Sequence, residues 1–295
     1  MKSRLFSRRI LWAVALALGI ALLSSACGKG PISASPVVRI GAVPKESPEK
    51  TQAYLQPFQK YLEEKTGLQI ELVVPTDYTA VVEAMAAGRI DVAYFGALSY
   101  VQASKKVRLH PFAKAIIAGS DTYHSVIITL KDSPITTLTD LKGRTFAFGD
   151  ISSTSGHLIP TQALLEAGID PQKDFEGPPL YTGAHNATVL AVYNGKVEAG
   201  AVEEPVLQEM IRQGLVAEDR LKIIWRSDPI PQYPWVIRDD IPQEIEDKLV
   251  QAFLEAPSDV LPPTVAEGFV RASAADYEEI RQIAERLGLA GGGTE

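Results

Sequence analysis

The segment Asp77-Tyr-Thr-Ala-Val-Val-Glu-Ala-Met-Ala-Ala-Gly-Arg-Ile-Asp-Val-Ala-Tyr-Phe-Gly96 decides the fold, because a related segment returns later in the chain. It aligns without gaps on Ala184-His-Asn-Ala-Thr-Val-Leu-Ala-Val-Tyr-Asn-Gly-Lys-Val-Glu-Ala-Gly-Ala-Val-Glu203. Each copy has an apolar helix, a glycine that ends it, a basic residue and a short apolar strand. Two ordinary α/β units can match in this way by chance, but an ungapped match across all these parts favours a structural duplication.

Strand and helix patterns alternate on both sides of the repeated segments. Such alternation predicts an α/β fold with a parallel sheet. The predicted strands are 37–43, 68–74, 90–95, 115–117, 125–130, 144–148, 197–202 and 223–225. The predicted helices are 49–66, 77–87, 158–167, 187–193, 241–255 and 274–287, with a helical turn at 138–143.

The duplication pairs Tyr78 with His185, each at the start of its helix. Ligands in open α/β sheets bind beyond the carboxyl ends of the strands, where helices begin. Two facing lobes are therefore expected to present Tyr78 from one side and His185 from the other, as O–H and N–H donors. Taken singly, Tyr78 is more typical of a half-buried packing residue and His185 of a surface cap, and their equivalence in the duplication favours the ligand-binding role.

The run Gly149-Asp-Ile-Ser-Ser-Thr-Ser-Gly-His157 places hydroxyls between two glycines at a strand-to-helix junction. Helix-start N–H groups and hydroxyls together favour a bound oxyanion, which neutral donors would hold because the run contains no Lys or Arg. Ordinary helix capping by Ser and Thr is the alternative. The run is neither a Walker A loop nor a dinucleotide fingerprint.

The N-terminus predicts export. Basic residues at positions 2, 4, 8 and 9 precede a short apolar stretch at 10–23 and the sequence Leu23-Ser-Ser-Ala-Cys27. We expect a lipoprotein-type signal peptide at 1–26, lipidation of Cys27, a flexible tether at 27–36 and a periplasmic, lipid-anchored protein. An ordinary secretory signal cleaved after Ala26 is the alternative.

Composition narrows the class of function. The net charge of -7 disfavours nucleic acid as a partner. A mature part of roughly 260 residues suits two lobes. The four histidines form no metal-ligand pattern, and no cofactor is expected. Ser155 near His157 or His185 raises nucleophilic catalysis as a rival hypothesis, but no Gly-x-Ser-x-Gly elbow accompanies it, so we expect a protein that is not an enzyme.

Seven motifs together resemble the phosphonate/phosphite substrate-binding family of ABC importers, and they cover nearly all of the mature chain. They are Gly41-Ala-Val-Pro44, Pro75-Thr-Asp-Tyr78, Ile90-Asp-Val-Ala-Tyr-Phe-Gly96, Tyr123-His-Ser-Val126, Leu138-Thr-Asp-Leu-Lys-Gly143, Ser153-Thr-Ser-Gly-His157 and Gly183-Ala-His185. The resemblance implies a two-lobed periplasmic binding protein of type II topology with a ligand cleft between its lobes. It implies lobe I at 37–123 and 230–288, lobe II at 124–229, a monomer, and ABC permease subunits as partners.

The resemblance also implies roles for individual residues. Ser153, Thr154 and Ser155 match residues that bind a phosphorus oxyanion from a helix start, and Tyr78, Tyr123 and His185 match donors that close around it. The strand-end residue Tyr94 is a weaker candidate.

The end of the site that binds the ligand's substituent departs from the family pattern. Where binders of aminoalkylphosphonates have carboxylates, this chain has Tyr233 and, less clearly aligned, Glu203 or Glu204, which we expect to be solvated. The expected ligand is therefore phosphite or methylphosphonate. Phosphate or an aminoalkylphosphonate, and a sensory role in place of import, remain alternatives.

Overall fold

The computed structural model describes residues 37–262 and 265–291. The predicted signal peptide, Cys27 and the tether lie outside these residues. The described strands are β1 (Val37–Ala42), β2 (Gln69–Val73), β3 (Val92–Tyr94), β4 (Leu109–Ile116), β5 (Thr122–Tyr123), β6 (Ser125–Leu130), β7 (Phe146–Phe148), β8 (Leu180–Tyr181), β9 (Ala199–Glu203), β10 (Leu221–Arg226), β11 (Ile230–Pro231), β12 (Pro234–Arg238) and β13 (Gly268–Arg271).

The described helices are α1 (Pro48–Thr66), α2 (Tyr78–Ala86), α3 (Ala97–Ser104), α4 (Ile159–Glu166), α5 (His185–Tyr193), α6 (Glu204–Arg212), α7 (Gln243–Leu254) and α8 (Glu278–Arg286). A π-helical turn at Thr154–Leu158 leads directly into α4. Local sequence explains where α1 begins and ends. Ser47 caps its first turn, Pro48 stands where a missing N–H costs nothing, and Gly67 ends it at φ 69°.

Two sheets define two lobes with matching strand order. In lobe I the order is β13-β4-β12-β3-β1-β2, and in lobe II it is β10-β6-β9-β7-β8. In lobe I, β1 runs parallel to β2 and β3, whereas β12 runs antiparallel to β3 and β4. In lobe II, β7 runs parallel to β8 and β9, whereas β6 runs antiparallel to β9 and β10. The order β10-β6-β9-β7-β8 of lobe II thus matches β4-β12-β3-β1-β2 of lobe I, and the edge strand β13 has no counterpart.

The predicted duplication is confirmed at the level of helix and strand. Helices α2 and α5 each have 9 residues and begin at the paired positions Tyr78 and His185. Strands β3 and β9, which follow them, hold the same central place in their sheets. The two-lobed α/β architecture is therefore built from one supersecondary unit used twice.

The chain crosses between the lobes at a short antiparallel ribbon. Strand β5 pairs with β11, with Tyr123 opposite Ile230 and Thr122 opposite Pro231. Strands before β5 and after β11 belong to the lobe I sheet, and those between them belong to lobe II. The predicted boundaries at 123/124 and 229/230 fall at this ribbon and remain a prediction.

Each lobe buries its own apolar core. The lobe I core centres on the aromatic side chains of Phe58, Trp235 and Phe253, and lobe II packs smaller clusters on the two faces of its sheet. Within residues 37–262 and 265–291, no helix combines the length and the apolar character needed to span a bilayer.

Candidate ligand site

The starts of α2 and α5 face the opposite lobe, as the duplication predicts. Tyr78 and His185 are both buried. The N–H of Tyr78 donates to Asp150 Oδ2 of lobe II at 3.4 Å, and the N–H of His185 donates to the carbonyl of Lys45 of lobe I at 3.0 Å. The lobes therefore contact each other directly across the cleft, with one backbone bond from each paired helix start.

The three hydroxyl side chains predicted to bind the ligand, at positions 153, 154 and 155, have three different roles. Ser153 Oγ accepts the Gly156 N–H at 3.0 Å, which is ordinary capping. Thr154 Oγ1 accepts the Leu98 N–H at 2.9 Å and so caps α3 from across the cleft. Ser155 Oγ is buried without a hydrogen-bond partner. Of the three, only Ser155 keeps its hydroxyl free for a ligand.

Gly156 allows the run to approach α5 closely. A Cβ on this residue would lie 2.9 Å from Ser153 Oγ and 3.0 Å from His185 Cε1. Any larger residue would therefore separate the helix start at 154 from His185.

Four hydroxyl oxygens lie buried between the lobes without a partner. We call them the hydroxyl cluster: Tyr78 Oη, Tyr94 Oη, Tyr123 Oη and Ser155 Oγ. Buried polar groups in folded proteins nearly always have a partner, because an unmade bond costs about 1–3 kcal/mol. Several such groups at one place are therefore typical of a binding site for a polar ligand.

The tyrosines of the cluster stay protonated. Burial raises the pKa of Tyr78 well above its usual value, and the Glu203 charge raises it further. Burial likewise raises the pKa of Tyr94 and of Tyr123. All three hydroxyls can therefore donate to an anion at neutral pH.

His185 is neutral and its tautomer follows from its contacts. Its Nδ1 accepts the Glu203 N–H at 3.2 Å, so the ring proton is assigned to Nε2. Burial lowers the pKa of His185 to about 4, although the Glu203 charge opposes this. Its Nε2 lies 3.5 Å from Tyr233 Oη and 3.7 Å from Glu203 Oε2. His185 is thus an N–H donor at the edge of the cluster.

The expectation that Glu203 is solvated is wrong. Its side chain is fully buried, and its Oε1 pairs with Lys45 Nζ at 3.0 Å while its Oε2 accepts from Tyr233 Oη at 2.7 Å. Burial alone would raise the pKa of Glu203, but the Lys45 charge, the nearby His185 and the hydrogen bonds from Tyr233 and Lys45 together outweigh it, so the pKa of Glu203 is lowered. Glu204 is not solvated either, since its side chain is only 12% exposed and bonds Arg226.

Sequence reasoning missed Lys45. The signal that could have identified it is its position just after β1, which corresponds to that of the hydroxyl run after β7.

The predicted residue Tyr233 lies beside the hydroxyl cluster. The centre of its ring is 5.2 Å from that of Tyr94, on which it stacks, and 5.6 Å from that of Tyr123. Its hydroxyl is already engaged by Glu203, so Tyr233 offers a ligand its ring and not a free donor.

The contacts of His157 do not support the nucleophile hypothesis. His157 Nδ1 bonds the Ile151 carbonyl at 2.7 Å, and Nε2 bonds Tyr181 Oη at 3.2 Å, so neither nitrogen is available to Ser155. Ser155 Oγ has no base beside it. Among the described residues, no group of three or more His, Cys, Asp and Glu side chains could hold a metal ion.

Comparison with known proteins agrees with this arrangement. The family model described as "ABC transporter, phosphonate, periplasmic substrate-binding protein" matches residues 40–277. The phosphate-import protein PhnD of Mycolicibacterium smegmatis is 31% identical over 91% of this chain and 94% of its own length. A probable ABC transporter phosphite binding protein, PhnD1 of Prochlorococcus marinus, is 26% identical over 87% of this chain and 92% of its own.

The solved structures include PhnD1 of Prochlorococcus marinus in complex with methylphosphonate. It superimposes with a TM-score of 0.77 at 25% identity, covering 86% of this chain and 98% of that one. The family match spans both lobes and the whole hydroxyl cluster. The chain therefore belongs to the family of periplasmic phosphonate substrate-binding proteins of ABC transporters.

Proposed function

We propose that this protein captures phosphite or a small phosphonate such as methylphosphonate between its lobes and presents it to an ABC permease. The observation that carries the proposal is the hydroxyl cluster, because four buried donors without partners need an acceptor that the chain itself does not supply. A tetrahedral phosphorus oxyanion offers several acceptor oxygens to donors arriving from different directions.

The charge of the anion is met by neutral groups. Lys45 already pairs with Glu203, so no uncommitted cation stands beside the cluster among the described residues. The helix starts at Thr154 and His185 direct their positive dipole ends toward the cleft, and the hydroxyls and the His185 Nε2–H complete the donor set. Neutral donors hold the anion without a full ion pair, which suits a protein that must release its ligand.

The lobe I side of the site supports a small apolar substituent. Tyr94 stacks on Tyr233, and its ring centre lies 4.9 Å from that of Trp235, so aromatic rings fill this side of the site. A P–H or P–CH₃ group can pack on such rings. A fourth oxygen would lose its hydration there without gaining a hydrogen bond, which disfavours phosphate.

Capture proceeds by lobe closure about the β5–β11 ribbon. The bonds from Leu98 to Thr154 and from His185 to Lys45 exist only when the lobes meet. Closure excludes water and so strengthens the bonds to the ligand. Lipidation of Cys27, with 27–36 as a tether, would keep the protein beside its permease.

Calorimetry on the mature protein tests the proposal with phosphite, methylphosphonate and phosphate. We expect the first two to bind and phosphate to bind at least tenfold more weakly. Equal or tighter binding of phosphate would instead assign the protein to phosphate import, and binding of none would overturn the proposal. Import is separated from sensing by deleting the gene and measuring uptake of the ligand that binds, which a purely sensory protein would leave unchanged.

A further inference from the structure

Lys45 is a buried lysine at the boundary of the ligand site. Its side chain is 6% exposed and its Nζ bonds Glu203 Oε1, a residue of the opposite lobe 158 positions away. Burial alone would lower the pKa of Lys45, but the charge and hydrogen bond of Glu203, together with Tyr94 and Tyr54, more than offset this, so the pKa is raised and the group stays charged. A buried cross-lobe ion pair of this kind has both partners committed to each other.

The pair adjoins the hydroxyl cluster through Tyr233. Lys45 Nζ lies 4.9 Å from the centre of the Tyr233 ring, which itself contacts Tyr94 and Tyr123 of the cluster. The Tyr233 hydroxyl donates to the other oxygen of Glu203. The Tyr233 ring therefore links the ion pair to the hydroxyl cluster, and Lys45 also lies near the Tyr94 hydroxyl, where its charge opposes the rise in pKa that burial causes.

On its other side the pair adjoins open space. A surface cavity of about 650 Å³ is lined by Lys45 and Glu203 together with Tyr54, Val206 and Arg212. The ion pair thus lies between the hydroxyl cluster and this cavity. A ligand substituent longer than one carbon would have to displace this ion pair in order to extend into the cavity.

The ion pair also disfavours a ligand that carries a positive charge. A ligand ammonium entering the site needs a carboxylate, because an unpaired buried cation is costly. The Glu203 carboxylate is already neutralised by Lys45. The other buried carboxylate near the cluster, Asp150, accepts the backbone N–H groups of Tyr78 and Ser152.

We propose that Lys45 is a specificity-determining residue: its ammonium occupies the Glu203 carboxylate and its side chain closes the substituent end, so that cationic and longer phosphonates are rejected. This inference rests on the proposed function. It assigns selectivity to a residue that touches the ligand's substituent end and not the oxyanion.

The test compares 2-aminoethylphosphonate with n-propylphosphonate, which has nearly the same shape but an uncharged substituent. Wild type should bind methylphosphonate and bind both longer ligands at least tenfold more weakly. In Lys45→Ala both longer ligands should bind more tightly. The affinity for 2-aminoethylphosphonate should rise at least tenfold more than that for n-propylphosphonate, because the Glu203 carboxylate is then free. Lys50→Ala, on the exposed rim of the same cavity, is the matched control and should change no ratio.

The double variant Lys45→Ala with Glu203→Gln guards against destabilisation by an unpaired carboxylate. It should accept both longer ligands but lose the preference for the amine. An unchanged ligand ranking in both Lys45 variants, or equal gains for amine and propyl in Lys45→Ala, overturns the role of Lys45. Failure of wild type to bind methylphosphonate or phosphite overturns the proposed function instead, so the two failures are distinguishable.

Discussion

The two lobes have the same scaffold but contribute different chemistry to the site. Ser47 in lobe I and Ser153 in lobe II each follow the first parallel strand of their sheet and cap the helical segment that comes next. After the cap, lobe I continues with Pro48, Glu49 and Lys50, whereas lobe II continues with Thr154, Ser155 and Gly156. The first helix start lies at the surface and the second is buried in the cleft.

The difference extends to the paired segments. Tyr94 of lobe I corresponds to Ala201 of lobe II, and Tyr78 corresponds to His185. Lobe I therefore supplies most of the aromatic wall and Lys45, and lobe II supplies the small hydroxyls, the imidazole and Glu203. A duplicated backbone positions both sets, while divergence of side chains makes the site asymmetric and suits a ligand with three oxygens and one different substituent.

The largest expected effect on ligand affinity comes from a substitution at the helix start in lobe II. Ser155→Ala removes a buried donor to a charged ligand, so we expect affinity for the best ligand to fall by about 1.5–3 kcal/mol, roughly 10- to 150-fold. Calorimetry measures this change, with circular dichroism as a check on folding. Unchanged affinity in a folded variant would mean that the hydroxyl run is a cap and not an anion site.

A second prediction concerns the free energy of unfolding, whose pH dependence should involve His185 and not the equivalent residue Tyr78. The pKa of His185 is lowered in the folded protein, so its contribution to stability is present above pH 6.5 and is lost as pH falls from 6.5 toward 4. Glu203, Lys45 and Tyr233 face the ring. The ligand-free protein should lose about 2 kcal/mol of unfolding free energy from this group between pH 7 and pH 5.

Urea unfolding at both pH values measures that loss. His185→Gln should show a smaller loss than wild type by about this amount, and Tyr78→Phe should keep the wild-type dependence because tyrosine does not titrate there. Equal pH dependence in wild type and His185→Gln would contradict the buried neutral histidine.

The third prediction asks whether the paired helix starts bind one anion. Tyr78→Phe and His185→Ala should each weaken binding by about 1–2 kcal/mol. If both donors contact the same ligand, the double variant should depart from additivity by at least about 0.5 kcal/mol. Strict additivity in calorimetry would indicate that the two residues act on separate groups.

The smallest effect is expected at the lobe I counterpart of Ser155. Glu49 occupies the same place after its cap but is exposed, so Glu49→Ala should change ligand affinity by less than about 0.5 kcal/mol. A larger loss would show that the surface helix start of lobe I also takes part in binding.

Much of the fold could be predicted because its signals are local. The nine-residue helices α2 and α5 and the strands after them follow from periodicity and stop residues. Helix α3 was missed because seven of its eight residues are buried, which leaves no polar face to reveal a period. Helix α6 was not predicted, although Pro205 stands in its first turn, where proline is favoured.

In the candidate site, too, some residues could be predicted from the sequence and others could not. All the predicted contact residues, from Tyr78 to Tyr233, are buried at the lobe interface, and their roles toward a ligand remain a prediction. Lys45 was missed and Glu203 was expected to be solvated because charged residues beside strand ends are usually exposed to solvent. Only contact between the lobes removes them from water and pairs them.

The sequence by itself determined the repeated unit and the pairing of Tyr78 with His185 at the starts of two equivalent helices. These features depend on bonds and packing between residues a few positions apart. The tertiary structure decided that Ser155 is free while Ser153 and Thr154 are engaged, and that Lys45 neutralises a carboxylate 158 positions away. Desolvation and charge pairing depend on which distant segments meet, and the folded lobes fix those meetings.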